Sequence, residues 1–304
     1  MDRRLNAAGQ SLFYLDAWRQ AQQAAVERAL SSWVSADLPA GLGKAMRYAV
    51  LDGGKRLRPL LVLATAEAVG GAPEVAMRAA CAVEMIHAYS LVHDDMPCMD
   101  NDMLRRGKPT VHVQFGEAQA LLVGDALQAL AFELLTPEVG VDPATGNALC
   151  RLLARASGAH GMAGGQAVDL SSVGLALDQP ALEYMHRLKT GALLQASVLM
   201  GAACGAPDAR AAKHLQHFGA SLGLAFQVVD DILDVTADST TLGKTAGKDA
   251  AANKPTFVAL LGLAPAQAYA DLLLSQAHEA LNATGLAQVA PLHALADWVG
   301  HRNH

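Results

Sequence analysis

Helical segments that are apolar around most of their circumference are the feature of this sequence that most restricts its fold. Residues 74–94 and 208–234 carry apolar side chains at three- and four-residue spacing on nearly every face. A helix of this kind must be surrounded by other helices. Alternating runs of Val, Ile, Thr and aromatic residues, which are typical of strands, are almost absent. The sequence therefore predicts an all-α fold, a helical bundle around a deep central cavity.

The same spacing predicts the extent of each helix and argues for one domain. We expect helices near residues 16–35, 39–51, 59–69, 74–94, 117–135, 146–160, 178–204, 208–234, 254–282 and 286–300. Gly-Gly pairs and prolines separate them, but the sequence has no Pro- or Ser-rich linker and no fixed-period repeat. Residues 1–304 are therefore predicted to form a single domain, although length alone would suggest two.

Charge and composition argue against several classes of function. The formal net charge is -6 and the pI is near 6.0, whereas a nucleic-acid-binding protein normally shows a basic face. The N-terminal segment lacks the apolar region of a signal peptide, and the four cysteines are scattered without metal-ligand spacing. The uncharged stretch from Thr190 to Pro207 is diluted by Gln, Ser and Gly, which favours a buried helix over a membrane span. We expect a cytoplasmic protein with reduced thiols, no membrane span and no nucleic-acid partner.

Two clusters of carboxylates stand at the ends of strongly apolar helices. The six aspartates are Asp94, Asp95, Asp100, Asp230, Asp231 and Asp234. Asp230 and Asp234 are four residues apart and therefore share a helix face. In the first cluster, Pro97 is expected to end the helix and to let Asp100 turn back toward Asp94.

Carboxylates at the C-terminal end of a buried helix need a cation nearby, because the helix dipole disfavours anions there. Mg²⁺ fits, since it takes hard oxygen ligands and often binds through carboxylates together with substrate phosphates. Either cluster alone can equally be a solvated helix end. Two such clusters, each behind a long apolar helix, favour a metal site.

Basic residues accompany both acidic clusters. They are Lys55, Arg56, Arg58, Arg105, Arg106, Lys108, Lys189, Lys244 and Lys254. Such residues can form ordinary surface ion pairs, which contribute little. Arg forks and compact Lys charges also suit phosphate oxygens, so carboxylates, magnesium and surplus cations together predict a diphosphate site. His87 lies seven residues before Asp94 and is expected on the same helix face, toward the cavity.

Several motifs in a fixed order carry a family resemblance. They are GGKRLRP at 53–59, HAYSLVHDDMPCMDNDMLRRGKPT at 87–110, FGEAQALLVGDAL at 115–127, GMAGGQAVDL at 161–170, KTGALL at 189–194 and FQVVDDILD at 226–234. With them, the chain from about residue 40 onward resembles the short-chain trans-prenyltransferases, in particular bacterial farnesyl diphosphate synthases (geranyltranstransferases). The resemblance implies an all-helical homodimeric enzyme that joins isopentenyl diphosphate to dimethylallyl or geranyl diphosphate.

The resemblance also implies a role for each polar residue. The six aspartates would hold about three Mg²⁺ ions, with Mn²⁺ as an alternative, and the first and last of each motif are the surest ligands. The residues implied to bind the allylic diphosphate are Arg105, Lys189 and Lys244. Those implied to bind isopentenyl diphosphate are Lys55, Arg58, His87 and Arg106. Thr190 and Gln227 would lie beside the allylic cation, and Lys254 would help to close the site.

Tyr89 carries the expectation of product length. In similar enzymes an aromatic residue five positions before the first aspartate forms the cavity floor and stops growth at fifteen carbons. Tyr89 has this position before Asp94, and Ser90 beside it also resembles the farnesyl type. The alternative is a core tyrosine with a satisfied hydroxyl.

Other functions stay open within and beyond this family. A geranyl or geranylgeranyl diphosphate synthase would differ only in a few floor residues. A non-catalytic partner subunit of a prenyl synthase typically loses one acidic motif, and both are present here. A terpene cyclase would carry an NDxxSxxxE-type motif, which the sequence lacks.

Overall fold

The computed structural model describes residues 15–51, 53–236 and 255–301. Within them the chain forms fourteen α-helices, one π-helical segment, one 3-10 turn and one short hairpin. The helices are α1 (Leu15–Trp33), α2 (Leu42–Val50), α3 (Leu57–Ala68), α4 (Pro73–Asp94), α5 (Val111–Phe115), α6 (Glu117–Leu135), α7 (Pro143–Ser157), α8 (Met162–Ser171), α9 (Gln179–His186), α10 (Ala192–Ala203), α11 (Ala209–Thr236), α12 (Phe257–Leu261), α13 (Leu263–Ala283) and α14 (Ala290–Gly300). The remaining elements are the 3-10 turn Pro39–Gly41, the π segment Arg187–Gly191, β1 (Leu104–Arg105) and β2 (Lys108–Pro109).

Helix α4 lies at the centre of the bundle. Its buried side chains run from Val75 near its start to Val92 near its end, and they point in all directions around the helix. It packs against α3, α6 and α10, as a helix without a polar face requires. Burial of each large side chain, such as Met85 or Ile86, contributes about 1.5–3 kcal/mol relative to an exposed position. The prediction of an all-α fold is confirmed.

Most predicted helices are present, but several begin or break at other residues. Helix α7 begins at Pro143 because the Asp142 carboxylate accepts a hydrogen bond from the Thr145 N–H at 3.0 Å, which caps the first turn. The predicted helix at 178–204 is continuous in space but changes to π geometry at Arg187–Gly191. The predicted helix at 254–282 is divided at Gly262, whose φ of +86° interrupts the helical path.

Three elements were not predicted: α5, α8 and the hairpin of β1 and β2. The glycines of α8 weaken its helical pattern, so its helix depends on tertiary packing rather than on propensity. The hairpin has a two-residue turn in which Arg106 and Gly107 both have positive φ, at 52° and 74°. This is the geometry of a type I′ turn, and it needs only four residues to reverse the chain.

The buried apolar residues form three clusters that share helices. Helices α3 and α10 contribute to both the first and the second cluster. Helices α11 and α13 contribute to both the second and the third. This sharing is what the single-domain prediction requires, because no element separates one cluster from the next.

Two of the described helices are long and apolar enough to cross a membrane, α4 and α6. Helix α4 is 67% buried over its most apolar 18 residues, as expected for the core helix of a bundle. Helix α6 is 39% buried and packs one side against α4, leaving an apolar face outside. The stretch at 190–207, considered above as a span, is mostly the buried helix α10.

Candidate active site

A cavity of about 390 Å³ opens at the C-terminal end of α4. Its lining comes from α3, α4, the following loop, α8 and the π segment. The lining residues are Arg58, His87, Tyr89, Ser90, Leu91, His93, Asp94, Met99, Met162, Ala163, Gln166, Ala167, Leu170, Lys189 and Thr190. Polar and cationic groups thus share the cavity with apolar walls, as expected of a site that binds an amphipathic ligand.

The first acidic motif turns back on itself as predicted. Helix α4 ends at Asp94, and the Asp100 N–H donates a hydrogen bond to the Asp94 carbonyl at 2.9 Å. The turn around Pro97 therefore brings the backbone of Asp100 against the last helical residue. The Asp94 carboxylate lines the cavity and accepts a hydrogen bond from Gln166 Nε2 at 2.8 Å.

Asp95 points away from the cavity and is held by Arg105. The Arg105 Nε lies 2.8–2.9 Å from both Asp95 carboxylate oxygens, and Nη2 lies 2.5 Å from Oδ1. Burial raises the pKa of Asp95, and the Arg105 guanidinium opposes that effect. The predicted roles, in which Asp95 binds metal and Arg105 binds diphosphate, stay predictions. In the structure the two side chains form an ion pair. Asp95 follows Asp94 by about 100° around the helix axis and therefore faces the hairpin.

The second acidic motif combines one half-buried carboxylate with two buried ones. Asp230 is half-buried, whereas Asp231 and Asp234 are buried. Asp231 accepts hydrogen bonds from Gln227 Nε2 at 3.1 Å and from the Phe257 N–H at 2.8 Å. It therefore ties α11 to the first residue of α12, which is a structural task beside its predicted role as a ligand.

Asp234 provides the observation that bears most directly on a metal. Within the residues that the structure describes, its buried Oδ1 has no hydrogen-bond partner. A buried carboxylate oxygen without a partner is costly, and a cation would satisfy it. No three His, Cys, Asp or Glu side chains of the described ranges already enclose a metal position. The donor set fits Mg²⁺, which keeps waters and takes substrate phosphates as further ligands.

The π segment carries Lys189 and Thr190 into the cavity. Lys189 Nζ lies 2.5 Å from Oδ2 of Asp169, a buried residue of α8. The Thr190 hydroxyl donates a hydrogen bond to Gln227 Oε1 at 3.1 Å, and Gln227 continues to Asp231. Thr190 and Gln227 are thus in contact, and their predicted place beside the allylic cation stays a prediction. π geometry is rare and is often found at functional sites.

Arg58 and His87 line the other side of the cavity, and the positive charge of nearby Arg106 lowers the pKa of both. The Arg106 guanidinium lies over the 53–54 turn, where a Cβ added at Gly54 would be 2.8 Å from Nη2. Burial lowers the pKa of Arg58 to about 10, and its Nε has no partner among the described residues. Burial also lowers the pKa of His87 well below its usual value, as do the positive charges of Arg58, Arg106 and their neighbours. Such a crowd of cations around a neutral imidazole is suited to bind an anion.

Lys55 and Arg56 leave this turn in different directions. Lys55 is exposed, and its Nζ lies 5.9 Å from the centre of the Trp298 ring. Arg56 has a φ of +52° and points inward. Its guanidinium contacts Glu84 at 2.6 Å, Glu27 at 2.5 Å and a backbone carbonyl of α2. The middle charge of the motif is therefore a buried anchor and not a group facing the cavity.

Tyr89 is mostly buried at the cavity, and its predicted role as the floor stays a prediction. It lines the cavity; burial raises the pKa of its hydroxyl, and the side chain of Gln128 of α6 opposes that effect. Ser90 also lines the cavity, and its hydroxyl donates a hydrogen bond to the His87 carbonyl at 2.8 Å. Lys244 and Lys254 lie outside the described residues.

Two site residues were not predicted, Gln166 and Asp169. Both belong to α8, and they are three residues apart, so that they share a face. The signal was present in the motif at 161–170, where a Gln and an Asp stand in an otherwise small and apolar segment. The two side chains orient Asp94 and Lys189 respectively, one from each half of the site.

Comparison with known proteins agrees with this arrangement. The family described as "Polyprenyl synthetase" matches residues 39–288. Geranylgeranyl pyrophosphate synthase 7 of Arabidopsis thaliana is 49% identical over 283 residues, covering 92% of this chain and 82% of that protein. A farnesyl diphosphate synthase of Geobacillus stearothermophilus is 51% identical over 249 residues, covering 81% of this chain and 84% of that protein.

A solved structure extends the agreement to three dimensions. A geranyltransferase from Helicobacter pylori, complexed with magnesium and isoprenyl diphosphate, superimposes with a TM-score of 0.83. It is 36% identical, and the match covers 95% of this chain and 98% of that one. The fold is that of a helical prenyltransferase. The chain belongs to the polyprenyl synthetase family.

Proposed function

We propose that the protein is a magnesium-dependent farnesyl diphosphate synthase. It would condense isopentenyl diphosphate with dimethylallyl or geranyl diphosphate and stop at fifteen carbons. The observation that carries this proposal is the cavity itself, which begins at Asp94 and Lys189 and has the Tyr89 ring in its wall. A large, mostly buried tyrosine in the wall would limit the length of an apolar chain.

The carboxylates divide into ligands and supports. We propose that Asp94, Asp100, Asp230 and Asp234 hold the metal ions, about three of them with the bound substrate, and that Mn²⁺ can replace Mg²⁺. Asp95 and Asp231 would mainly orient Arg105 and the start of α12. When bound, Mg²⁺ supplies positive charge where the diphosphate leaves.

The cationic residues divide between two diphosphates. Lys189 lies beside Asp94 in the cavity lining and would bind the allylic diphosphate together with Arg105 and, from outside the described ranges, Lys244. The cluster of Arg58, His87 and Arg106 would bind isopentenyl diphosphate, with Lys55 at its edge. An anion placed among these groups relieves the mutual repulsion that lowers the pKa of Arg106 and His87 beyond the effect of burial.

Between the two diphosphates, the walls would protect the allylic cation. The Thr190 hydroxyl oxygen and the Gln227 amide oxygen meet at the π segment, where their dipoles can stabilise positive charge. The apolar side chains of Leu91, Met99 and Met162 exclude water from the same space. Lys254 would help to close the site.

The test is a product assay with purified protein, Mg²⁺, isopentenyl diphosphate and each allylic primer, read by mass. We expect mainly a fifteen-carbon diphosphate that disappears with a chelator. Tyr89→Ala should lengthen the main product by at least one five-carbon unit, whereas Tyr184→Ala, at an exposed tyrosine of α9, should not. Absence of condensation would refute the proposed enzymatic activity and would favour a non-catalytic partner subunit.

A geranylgeranyl diphosphate synthase is the second candidate. The chloroplastic Arabidopsis geranylgeranyl synthase favours it, because its 49% sequence identity to this chain is close to the 51% identity of the bacterial farnesyl synthase. A twenty-carbon main product from the unaltered protein would identify it as a geranylgeranyl diphosphate synthase. It would also show that Tyr89 does not limit the product to fifteen carbons. We further propose a homodimer in the cytoplasm, without a nucleic-acid partner.

A further inference from the structure

Helix α8 presents one row of side chains to the cavity. Met162, Gln166 and Leu170 all line it, and because they are four residues apart they share one face of the helix. Their exposure rises along the row. Met162 is 9% exposed, Gln166 is half-buried and Leu170 is 47% exposed. The row therefore runs from the buried inner end of the cavity at Met162 to its mouth at Leu170.

Helix α4 runs in the same direction along another wall. It ends at Asp94, and Tyr89, five residues earlier, is 9% exposed and also lines the cavity. The hydrogen bond of 2.8 Å between Asp94 and Gln166 sets the two rows at one level. From that level Tyr89 lies about 7.5 Å inward along α4, and Met162 lies about 6 Å inward along α8. The ring and the thioether therefore stand at similar depths, and both belong to one cluster of buried residues.

We propose that Met162 is a second residue that limits the length of the product, together with Tyr89. The inference rests on the proposed function, because it assigns a further specificity residue to the same cavity. An isoprenoid chain that extends inward from the diphosphate site at Asp94 and Lys189 passes between α4 and α8. Its inner end then meets the tyrosine ring on one wall and the methionine side chain on the other.

The first turn of α8 makes the size of Met162 decisive. This turn consists of Met162, Ala163, Gly164 and Gly165, so that the methionine is its only large side chain. No neighbour in the turn can fill the space that a smaller residue would leave. The methionine side chain is also unbranched and flexible, which suits contact with an apolar chain of irregular shape. A change of volume at Met162 therefore changes the room for the chain directly.

The experiment compares Met162→Ala, Met162→Phe and Met162→Leu with the unaltered protein, in the presence of isopentenyl diphosphate and each allylic primer. We expect Met162→Ala to lengthen the main product by one five-carbon unit and Met162→Phe to shorten it by one. Met162→Phe should also lower kcat/KM for geranyl diphosphate about 10- to 200-fold relative to that for dimethylallyl diphosphate. Met162→Leu conserves the volume and should keep the original product. Met77→Ala, at a half-buried methionine near the start of α4, is the matched control and should keep it too.

Equilibrium binding separates this inference from the proposed function. The probes are analogues of dimethylallyl and geranyl diphosphate in which sulphur replaces the bridging oxygen, titrated in saturating Mg²⁺. They report which chains the cavity accepts, whether or not condensation occurs. We expect Met162→Phe to bind the five-carbon analogue as the unaltered protein does and to lose the ten-carbon one. Absence of condensation in the unaltered protein would refute the proposed function and leave this comparison intact.

Unchanged product length in both Met162→Ala and Met162→Phe would overturn the proposal. Equal binding of the two analogues by Met162→Phe would overturn it as well, as would binding of neither by the unaltered protein. A longer product from Met77→Ala would also contradict it, since any loss of buried volume would then have the same effect. Circular dichroism checks that each variant is folded, and Met162→Leu separates the size of the side chain from its identity.

Discussion

The buried charge of Arg56 is compensated by two carboxylates from different helices. Glu84 of α4 and Glu27 of α1 both contact its guanidinium, and a carbonyl at the end of α2 accepts a further hydrogen bond. The exposed fractions of the Arg56 and Glu84 side chains are 2% and 4%. Because water cannot replace a missing partner there, this pair fixes the turn from which Lys55 and Arg58 extend.

Glu84→Gln should therefore destabilise the protein strongly. Removal of one partner from a buried ion pair typically costs about 3–5 kcal/mol, and we expect about 3 because Glu27 remains. The matched control is Glu74→Gln on the same helix, where the side chain is 75% exposed and 3.9 Å from Arg78. It should change the free energy of unfolding by less than about 0.5 kcal/mol. Urea denaturation measures both, and equal effects would contradict the role given to Arg56.

His186 should make folding sensitive to acid. It is 6% exposed and stacked on Phe257, and burial lowers its pKa to about 4. The folded state then binds the proton more weakly than the unfolded state, whose histidine has a pKa near 6.5. Stability from this residue is present above that pH and is lost as the pH falls toward 4. The loss at pH 5 is about 2 kcal/mol relative to pH 7.5.

His186→Leu removes the titrating group and should reduce the difference in unfolding free energy between pH 7.5 and pH 5 by that amount. His160→Leu, at an exposed histidine, should leave the difference unchanged. Urea denaturation at the two pH values measures both. An unaltered pH dependence in His186→Leu would contradict the lowered pKa.

The sequence predicted which residues are near the site better than it predicted their directions. Asp100 turns back to Asp94 as expected, because spacing within one turn decides that contact. Thr190 and Gln227 lie on different elements, and tertiary packing alone brings them together. The direction of Arg56 was not predictable, since it depends on a positive φ at the residue before α3. A helix buried on all sides gives no polar face from which to infer direction.

The π segment is held in place by the close approach of α8. A Cβ added at Gly165 would lie 2.1 Å from the backbone nitrogen of Lys189, so only glycine allows α8 to approach the π segment this closely. Asp169, one turn further along α8, then reaches Lys189. The glycine and the aspartate of α8 therefore act together to position one lysine of the cavity.

Gly165→Ala should disturb this arrangement, and Gly191→Ala should not. Overpacking at Gly165 is expected to cost about 1–3 kcal/mol of stability and to reduce the rate of condensation, because Lys189 is displaced. At Gly191 the nearest atom to an added Cβ is 3.4 Å away, an ordinary contact. Thermal unfolding and steady-state kinetics measure the two effects. Similar behaviour of the two variants would refute the close approach.

The elements of this region could be predicted only in part. The long apolar segment at 178–204 indicates a helix, but its periodicity does not show one extra residue in the turn at Arg187–Gly191. Helix α8 escaped prediction because close packing requires glycines, and glycines lower helix propensity. In both cases tertiary contact, and not local preference, decides the local structure.

The outer face of α6 is the described surface best suited to a second copy of the chain. Leu121 and Leu122 are 49% and 52% exposed, although α6 is apolar enough to be a core helix. Its other side carries the buried residues Val123, Leu127 and Ala131, which pack against α4. A helix that is apolar on both sides in a bundle is typical of an interface between subunits.

The predicted homodimer should therefore dissociate in Leu122→Glu, because a charge on this face cannot be buried without a partner. Leu272→Glu is the control, since Leu272 of α13 is also 52% exposed and lies on another side of the bundle. Sedimentation velocity should show a dimer for the control and a monomer for Leu122→Glu. A dimer in both would place the interface elsewhere.

The same variant links assembly to product length. Gln128, which is exposed on α6, has a side chain that influences the pKa of the Tyr89 hydroxyl, the group of the residue proposed to limit the product. A second copy on α6 would bury that amide and strengthen its interaction with Tyr89. We therefore expect monomeric Leu122→Glu to release a larger share of products longer than fifteen carbons than the dimeric control, in the assay with isopentenyl and geranyl diphosphates. An unchanged product distribution from a proven monomer would show that Tyr89 is held by its own subunit alone.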